Sequence, residues 1–199
     1  MVNKYWRILP VLGFVLIACI ACGKKEGFDL YKEVMDKELQ SGKQADSLFL
    51  GMSFGMTSKN FFLHCWEMNK KGLFTDGQNN TSVLYKLNHH ELKHAASMNF
   101  YPHFYDNKIY KMQTSFNYDG WAPWNKHLSS DSLLTDVLVL YRKWYPGGSP
   151  FIRISDPQKG VIYVKLDGNR RITVGQYDEI HVKVDYTDLV IEQKIKKVE

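Results

Sequence analysis

Two stretches of this chain repeat one pattern, an amphipathic helix followed by short alternating strands, and the recurrence limits the fold to a sheet with helices beside it. The first helix begins after Thr57 or Ser58, both good N-caps, and carries Phe61, Phe62, Cys65, Trp66 and Met68 on its apolar face. His64, Glu67, Lys70 and Lys71 fall outside that face, and Gly72 stops it. A turn-rich loop at 76–80 leads to strands at 81–87, 98–105 and 108–118, the last two joined at Asp106-Asn107. The second helix follows Ser129-Ser130-Asp131 and repeats the spacing with Leu133, Leu134, Val137, Leu138, Tyr141 and Tyr145. Pro146-Gly147-Gly148 ends it, and strands are expected at 151–154, 161–166, 170–174 and 179–192, with a hairpin turn at Asp167-Gly168-Asn169.

Local sequence supports a duplication. Val83-Leu84-Tyr85-Lys86-Leu87 matches the run Val161 to Leu166 with one inserted residue, and Tyr105-Asp106 before Ile109 matches Tyr177-Asp178 before Ile180. The expected fold is therefore α+β: two helix-plus-antiparallel-meander units, about 29–125 and 126–199, with the helices packed on one face of the sheet. A further helix at 28–39 opens the first unit, and 46–55, containing Leu48-Phe49-Leu50, reads as a connection.

The N-terminus sets the compartment. Met1 to Arg7 is basic, and Ile8 to Ala21 is an uncharged apolar run. A membrane-spanning helix needs roughly 20 such residues, so the run is too short to span and has the length of a signal peptide. Leu16-Ile17-Ala18-Cys19 resembles the lipobox of bacterial lipoproteins. The resemblance implies a signal peptide at 1–18, diacylglycerol on the Cys19 thiol and a lipidated tether at 19–28. Cys22, after Ile20-Ala21, is the rival site, although its −3 residue would be Cys19 and not an aliphatic. Two or more acyl chains anchor a protein stably. No aspartate follows either cysteine, a pattern that resembles outer-membrane sorting, with the periplasmic or the surface face left open.

Phe54-Gly55-Met56-Thr57-Ser58-Lys59 is similar to the opening of small exported lipoproteins. Among these is the small lipoprotein of the outer-membrane barrel assembly machinery, and that likeness implies helices against a three-stranded sheet. Over its whole length the chain resembles lipoproteins of Bacteroides-type bacteria. Neither resemblance implies catalytic residues.

Composition narrows the partners. The formal charge is +5, falling to about +3 once Lys4 and Arg7 are removed with the signal. Basic stretches such as Lys70-Lys71 and Arg170-Arg171 are too short for a nucleic-acid footprint, and export removes such partners from reach. Cys65 is the one cysteine beyond the lipobox region, placed on a helical apolar face where packing is its expected role.

Two constellations carry chemistry. His90-Glu91-Leu92-Lys93-His94 is a literal H-E-x-x-H, which on a helix would present two imidazoles to zinc and a glutamate to the metal-bound water. It sits in a short gap between strands, and Ser97 and Phe100 stand where the longer motif would need glycine and histidine. Tyr118-Asp119-Gly120-Trp121-Ala122-Pro123-Trp124-Asn125 places two tryptophans in a loop. Sugars stack on such rings when the rings face solvent; a loop linking two subdomains is expected instead to fold its indoles onto the core. No phosphate loop, nucleophile elbow or calcium loop is legible, so no cofactor and no catalytic residue is expected. The expected function is a non-catalytic envelope lipoprotein, held on the lipid membrane by its acylated cysteine, that binds another envelope protein or a glycan. The alternatives are a carbohydrate-binding module using Trp121 and Trp124, and a zinc hydrolase at His90, Glu91 and His94.

Overall fold

The computed structural model describes residues 27–77, 81–158 and 160–198, so the signal sequence, Cys19 and Cys22 lie outside the described residues. The elements run α1 (Gly27–Gln40), α2 (Ser58–Lys70), β1 (Phe74–Asp76), β2 (Val83–Leu87), β3 (Ala96–Tyr105), β4 (Lys108–Tyr118), α3 (Ser130–Trp144), β5 (Ile152–Asp156), β6 (Gly160–Asp167), β7 (Arg170–Gln176), β8 (Val182–Asp188) and α4 (Leu189–Lys196). The strands make one antiparallel sheet in the order β1-β2-β3-β4-β8-β7-β6-β5. The fold is α+β. Each half is a helix followed by a four-stranded meander, and the meanders meet at the central pair, with Met112 opposite Tyr186 and Thr114 opposite Val184. The segments matched in sequence fall on β2 and β6, second from each edge, and on β4 and β8, the two central strands. A sheet of eight strands replaces the three implied by the barrel-assembly lipoprotein.

Alternation along strands divides the sheet into two unlike faces. Met98 and Phe100, Met112 and Phe116, Val184 and Tyr186, and Ile172 and Val174 share one face through the cross-strand register and are buried. Against this face α2 places Phe61, and α3 places Leu133, Val137 and Tyr141, all fully buried. Fully burying one such side chain contributes about 1.5–3 kcal/mol. The opposite face has a smaller core at one end only, where Tyr31, Val34, Met35 and Leu39 of α1 pack on Ile152, Ile154, Val164 and Leu166. Its central strands carry Gln113, Ser115, Thr173, Lys183 and Asp185, which no helix among the described residues buries.

The supposed connection at 46–55 is part of the main core: Leu48, Phe49, Met52 and Phe54 are buried. Its position is fixed by the β6–β7 hairpin. Asn169 accepts the Ala45 N–H at 2.6 Å and donates to Asp46 at 2.9 Å, and Arg170 donates to the Ser47 carbonyl. Gly168 has φ +56°, and a Cβ there would lie 2.2 Å from the Lys43 carbonyl oxygen, so only glycine fits. Beneath the segment, the hydroxyls of Tyr141, Tyr145 and Tyr186 form a buried chain with gaps of 2.7 and 3.0 Å, and Tyr145 donates to the Leu48 carbonyl.

Four expectations need correction. The helices do not all share one face, since α2 and α3 cover one and α1 packs on the other. The last strand stops at Asp188, whose carboxylate accepts the N–H groups of Val190 and Ile191 and so caps α4, where a strand to residue 192 was expected. Thr57 caps α2 as expected, but the face of that helix is rotated. Phe61, His64, Cys65 and Met68 turn inward, whereas Phe62 and Trp66 are 53% and 56% exposed. His64 is drawn inward by a hydrogen bond between Nε2 and the Leu50 carbonyl, at 2.8 Å. Finally, β1 was missed, because three residues are too few to show a period. Among the described residues, no helix is long and apolar enough to cross a membrane.

Candidate functional site

The H-E-x-x-H string folds as turns between β2 and β3, not as a helix. The one-turn spacing that would align His90 with His94 is therefore absent. Glu91 serves the local fold: one carboxylate oxygen accepts the Asn88 N–H (3.0 Å), the Asn88 side-chain amide (2.8 Å) and the Tyr85 hydroxyl (3.0 Å). Burial, with Glu91 adding to it, pushes Tyr85 up to about 12. His90 stacks on His89, while His94 stands edge-on to Tyr118 and beside His127. Among the described residues, no group of three His, Cys, Asp or Glu is arranged to hold a metal ion. Asp167-Gly168-Asn169 is the hairpin that holds 43–47, and Cys65 is half-buried with its thiol pushed up to about 11 by burial.

The tryptophan loop is arranged differently from the core-covering expectation. β4 ends at Tyr118, and Asp119 is held by the Ser97 hydroxyl (2.5 Å) and by Lys86 (3.0 Å). Ala122-Pro123-Trp124-Asn125 then closes a four-residue turn through the Asn125 N–H and the Ala122 carbonyl at 2.8 Å. Proline fixes φ at the second position of such a turn, which puts Trp124 at the corner, 82% exposed. Its indole does not close the core.

Trp121 is half-buried and lines a cleft of about 760 Å³. The far walls are the first turn of α3 and the β7–β8 loop, which supply Asp131, Gln176, Tyr177, Asp178 and Glu179. These walls are tied together. Ser130 donates its hydroxyl to the Asp178 carbonyl (2.6 Å) and its N–H to the Glu179 carbonyl (3.0 Å), and Gln176 donates to Asp131 (2.7 Å). Partial burial alone would raise the Asp178 carboxyl. The His181 side chain and the N–H groups of Ile180 and His181 outweigh that and hold it below its ordinary value. Asp178 is thus an anchored acceptor, unsuited to lending a proton at neutral pH.

Sequence reasoning had Trp121 and Trp124 but missed Tyr177 and its polar neighbours, because 175–178 read only as the connection between strands at 170–174 and 179–192. The available signal was Gln176-Tyr177-Asp178-Glu179, four polar residues interrupting an apolar alternation.

Comparison with protein-family models, curated proteins and solved structures found no match. A half-buried indole, an exposed tyrosine (64% exposed) and fixed amide and carboxylate groups around an open cleft suit a ligand with apolar faces and hydroxyl edges.

Proposed function

We propose that this chain is a lipoprotein of the cell envelope, anchored in the outer membrane by an acylated cysteine, whose domain binds a glycan in the Trp121 cleft without turning it over. The observation that carries the reading is the exposed Trp124 indole at the corner of a proline-fixed turn whose neighbouring residues, Trp121 and Pro123, line a cleft with Tyr177, Asp131 and Gln176. An indole left in water costs apolar exposure; a sugar ring stacked on it recovers that free energy. The anchored Asp178 carboxylate, held below its ordinary value by His181 and two backbone N–H groups, is an acceptor for the hydroxyl edge of such a ligand.

Titration of intrinsic tryptophan fluorescence with a panel of neutral oligosaccharides tests the reading. We expect saturable quenching or a blue shift that Trp124→Ala weakens on the order of tenfold, the loss of about 1.4 kcal/mol from one stacking contact. Fluorescence indifferent to every oligosaccharide in the panel overturns it.

The outer face of α2 favours a second reading, an envelope protein as partner. Phe62, Leu63 and Trp66 are each about half exposed there, a contiguous apolar patch of the kind that marks contact surfaces. It predicts a protein crosslink from a photoreactive residue at position 63 that Trp66→Glu abolishes, with the glycan titration unchanged.

A further inference from the structure

The Trp121 cleft does not end at its own rim. Gln176 and Tyr177 line it and also line a hollow of about 410 Å³ on the polar face of the sheet. That hollow shares Gln113, Lys183 and Asp185 with another over β3 and β4, and Ile162, Thr173 and Asp185 with a third, of about 530 Å³, beside α1. The register accounts for the continuity. Gln113, Asp185 and Thr173 stand in one row across β4, β8 and β7, and Ser115, Lys183 and Gly175 form the next. At Gly175 a Cβ would come 3.1 Å from the Ile162 side chain, so Ile162 of β6 closes over that place in the row. Lys183 also reaches back to the cleft, its ammonium 3.2 Å from the centre of the Tyr177 ring.

The chemistry along this path is uniform in kind. Amides and hydroxyls beside Asp185 and Lys183, joined next to α1 by Asp156 and Glu192 against Lys111 and Arg171, offer donors and acceptors with little net charge, and partly exposed aromatic rings recur beside the hollows at Tyr177, Tyr101 and Phe28. The cleft end carries Asp131, Asp178 and Glu179 against Lys126, which disfavours a polyanion.

We infer that the ligand is an extended, uncharged glycan chain that enters at Trp124 and Trp121, crosses Gln176 and Tyr177, and continues over the row Gln113–Asp185–Thr173. This rests on the glycan reading of the cleft and adds chain length and charge to it. Adjacent strands are about 4.8 Å apart, so a ligand crossing them meets new hydrogen-bonding groups at each step.

Calorimetric titration of the full chain in detergent micelles, with N-acetylglucosamine and glucose oligomers of one to six units, tests the inference. In whichever series binds, affinity should rise on the order of tenfold from dimer to hexamer. The double variant Gln113→Ala with Asp185→Asn should erase that rise and leave dimer affinity unchanged, while Trp124→Ala weakens every length. An unchanged melting temperature of the double variant separates loss of contacts from loss of fold. Equal affinity for dimer and hexamer, a full hexamer gain in the double variant, or tighter binding of alginate than of neutral chains overturns the inference while the cleft reading stands. No binding by any oligomer, with fluorescence unmoved, overturns the cleft reading itself.

Discussion

Asn169 is buried at the hairpin between β6 and β7, and both ends of its amide are used: the carbonyl takes the Ala45 N–H and the NH₂ donates to Asp46. Asn169→Ala leaves that backbone donor without a partner, at a cost of about 1–3 kcal/mol, read as a lower urea midpoint with an unchanged slope. Cys65 gives a second prediction at this scale. Burial holds its thiol up to about 11, so at neutral pH the reactive thiolate is scarce. In a chain carrying Cys19→Ser and Cys22→Ser, a disulfide reagent should react slowly with the native protein, faster as pH climbs toward 11, and at once after unfolding. Fast reaction at pH 7 would contradict the burial. Cys65 was legible from its helical spacing alone. Asn169 was not, because a residue in a hairpin turn satisfies the sequence rule for turns whether or not its side chain clamps a segment more than a hundred positions away.

Among elements, those with a long period were legible and those decided by tertiary contact were not. The helix capped by Thr57 and strands such as Lys108–Tyr118 carry their signals locally, in a cap, a turn pair and an alternation. The face of α2 is different. Phe61 and Phe62 are equivalent by hydropathy, and the choice between them falls to the sheet, which takes Phe61 with His64, Cys65 and Met68 and leaves Phe62 and Trp66 in solvent. Phe61→Ala should therefore cost about 3–5 kcal/mol, and Phe62→Ala less than about 0.5 kcal/mol, in chemical unfolding of otherwise identical chains. Equal losses would mean that both rings are buried. α4 was hidden for a related reason: Val190 and Ile191 favour strands, but Asp188 caps two backbone donors and turns them into a helix. At the candidate site, Trp121 and Trp124 were legible as residues but not in their direction. Pro123 fixes that direction, and the β7–β8 loop completes the cleft from 50 residues further along the chain.

At the scale of the molecule, the sheet is finished on one face and open in the middle of the other, and the chain enters beside that open face. Gly27 begins α1 against β5, where a Cβ would lie 2.1 Å from the Arg153 carbonyl oxygen. The lipidation proposal then becomes a statement about distance. A fully extended chain covers at most about 3.3–3.6 Å per residue, so Gly27 can stand no further than about 28 Å from lipid attached at Cys19, and about 17 Å if Cys22 carries it. Either tether is shorter than the roughly 34 Å from the β5 edge to the β1 edge implied by strand spacing, so the β5 side should face the membrane and α2 should lie further out. Intact mass measurement of the mature chain decides between the cysteines. We expect diacylglycerol on an N-terminal Cys19, retained in Cys22→Ser and lost in Cys19→Ser. Lipid on Cys22 in the unaltered chain would draw the domain about 10 Å nearer the bilayer and overturn the choice of Cys19 alone. A free, unmodified N-terminus at any other residue would overturn the anchor, and with it the reason for turning the β5 side toward a membrane at all.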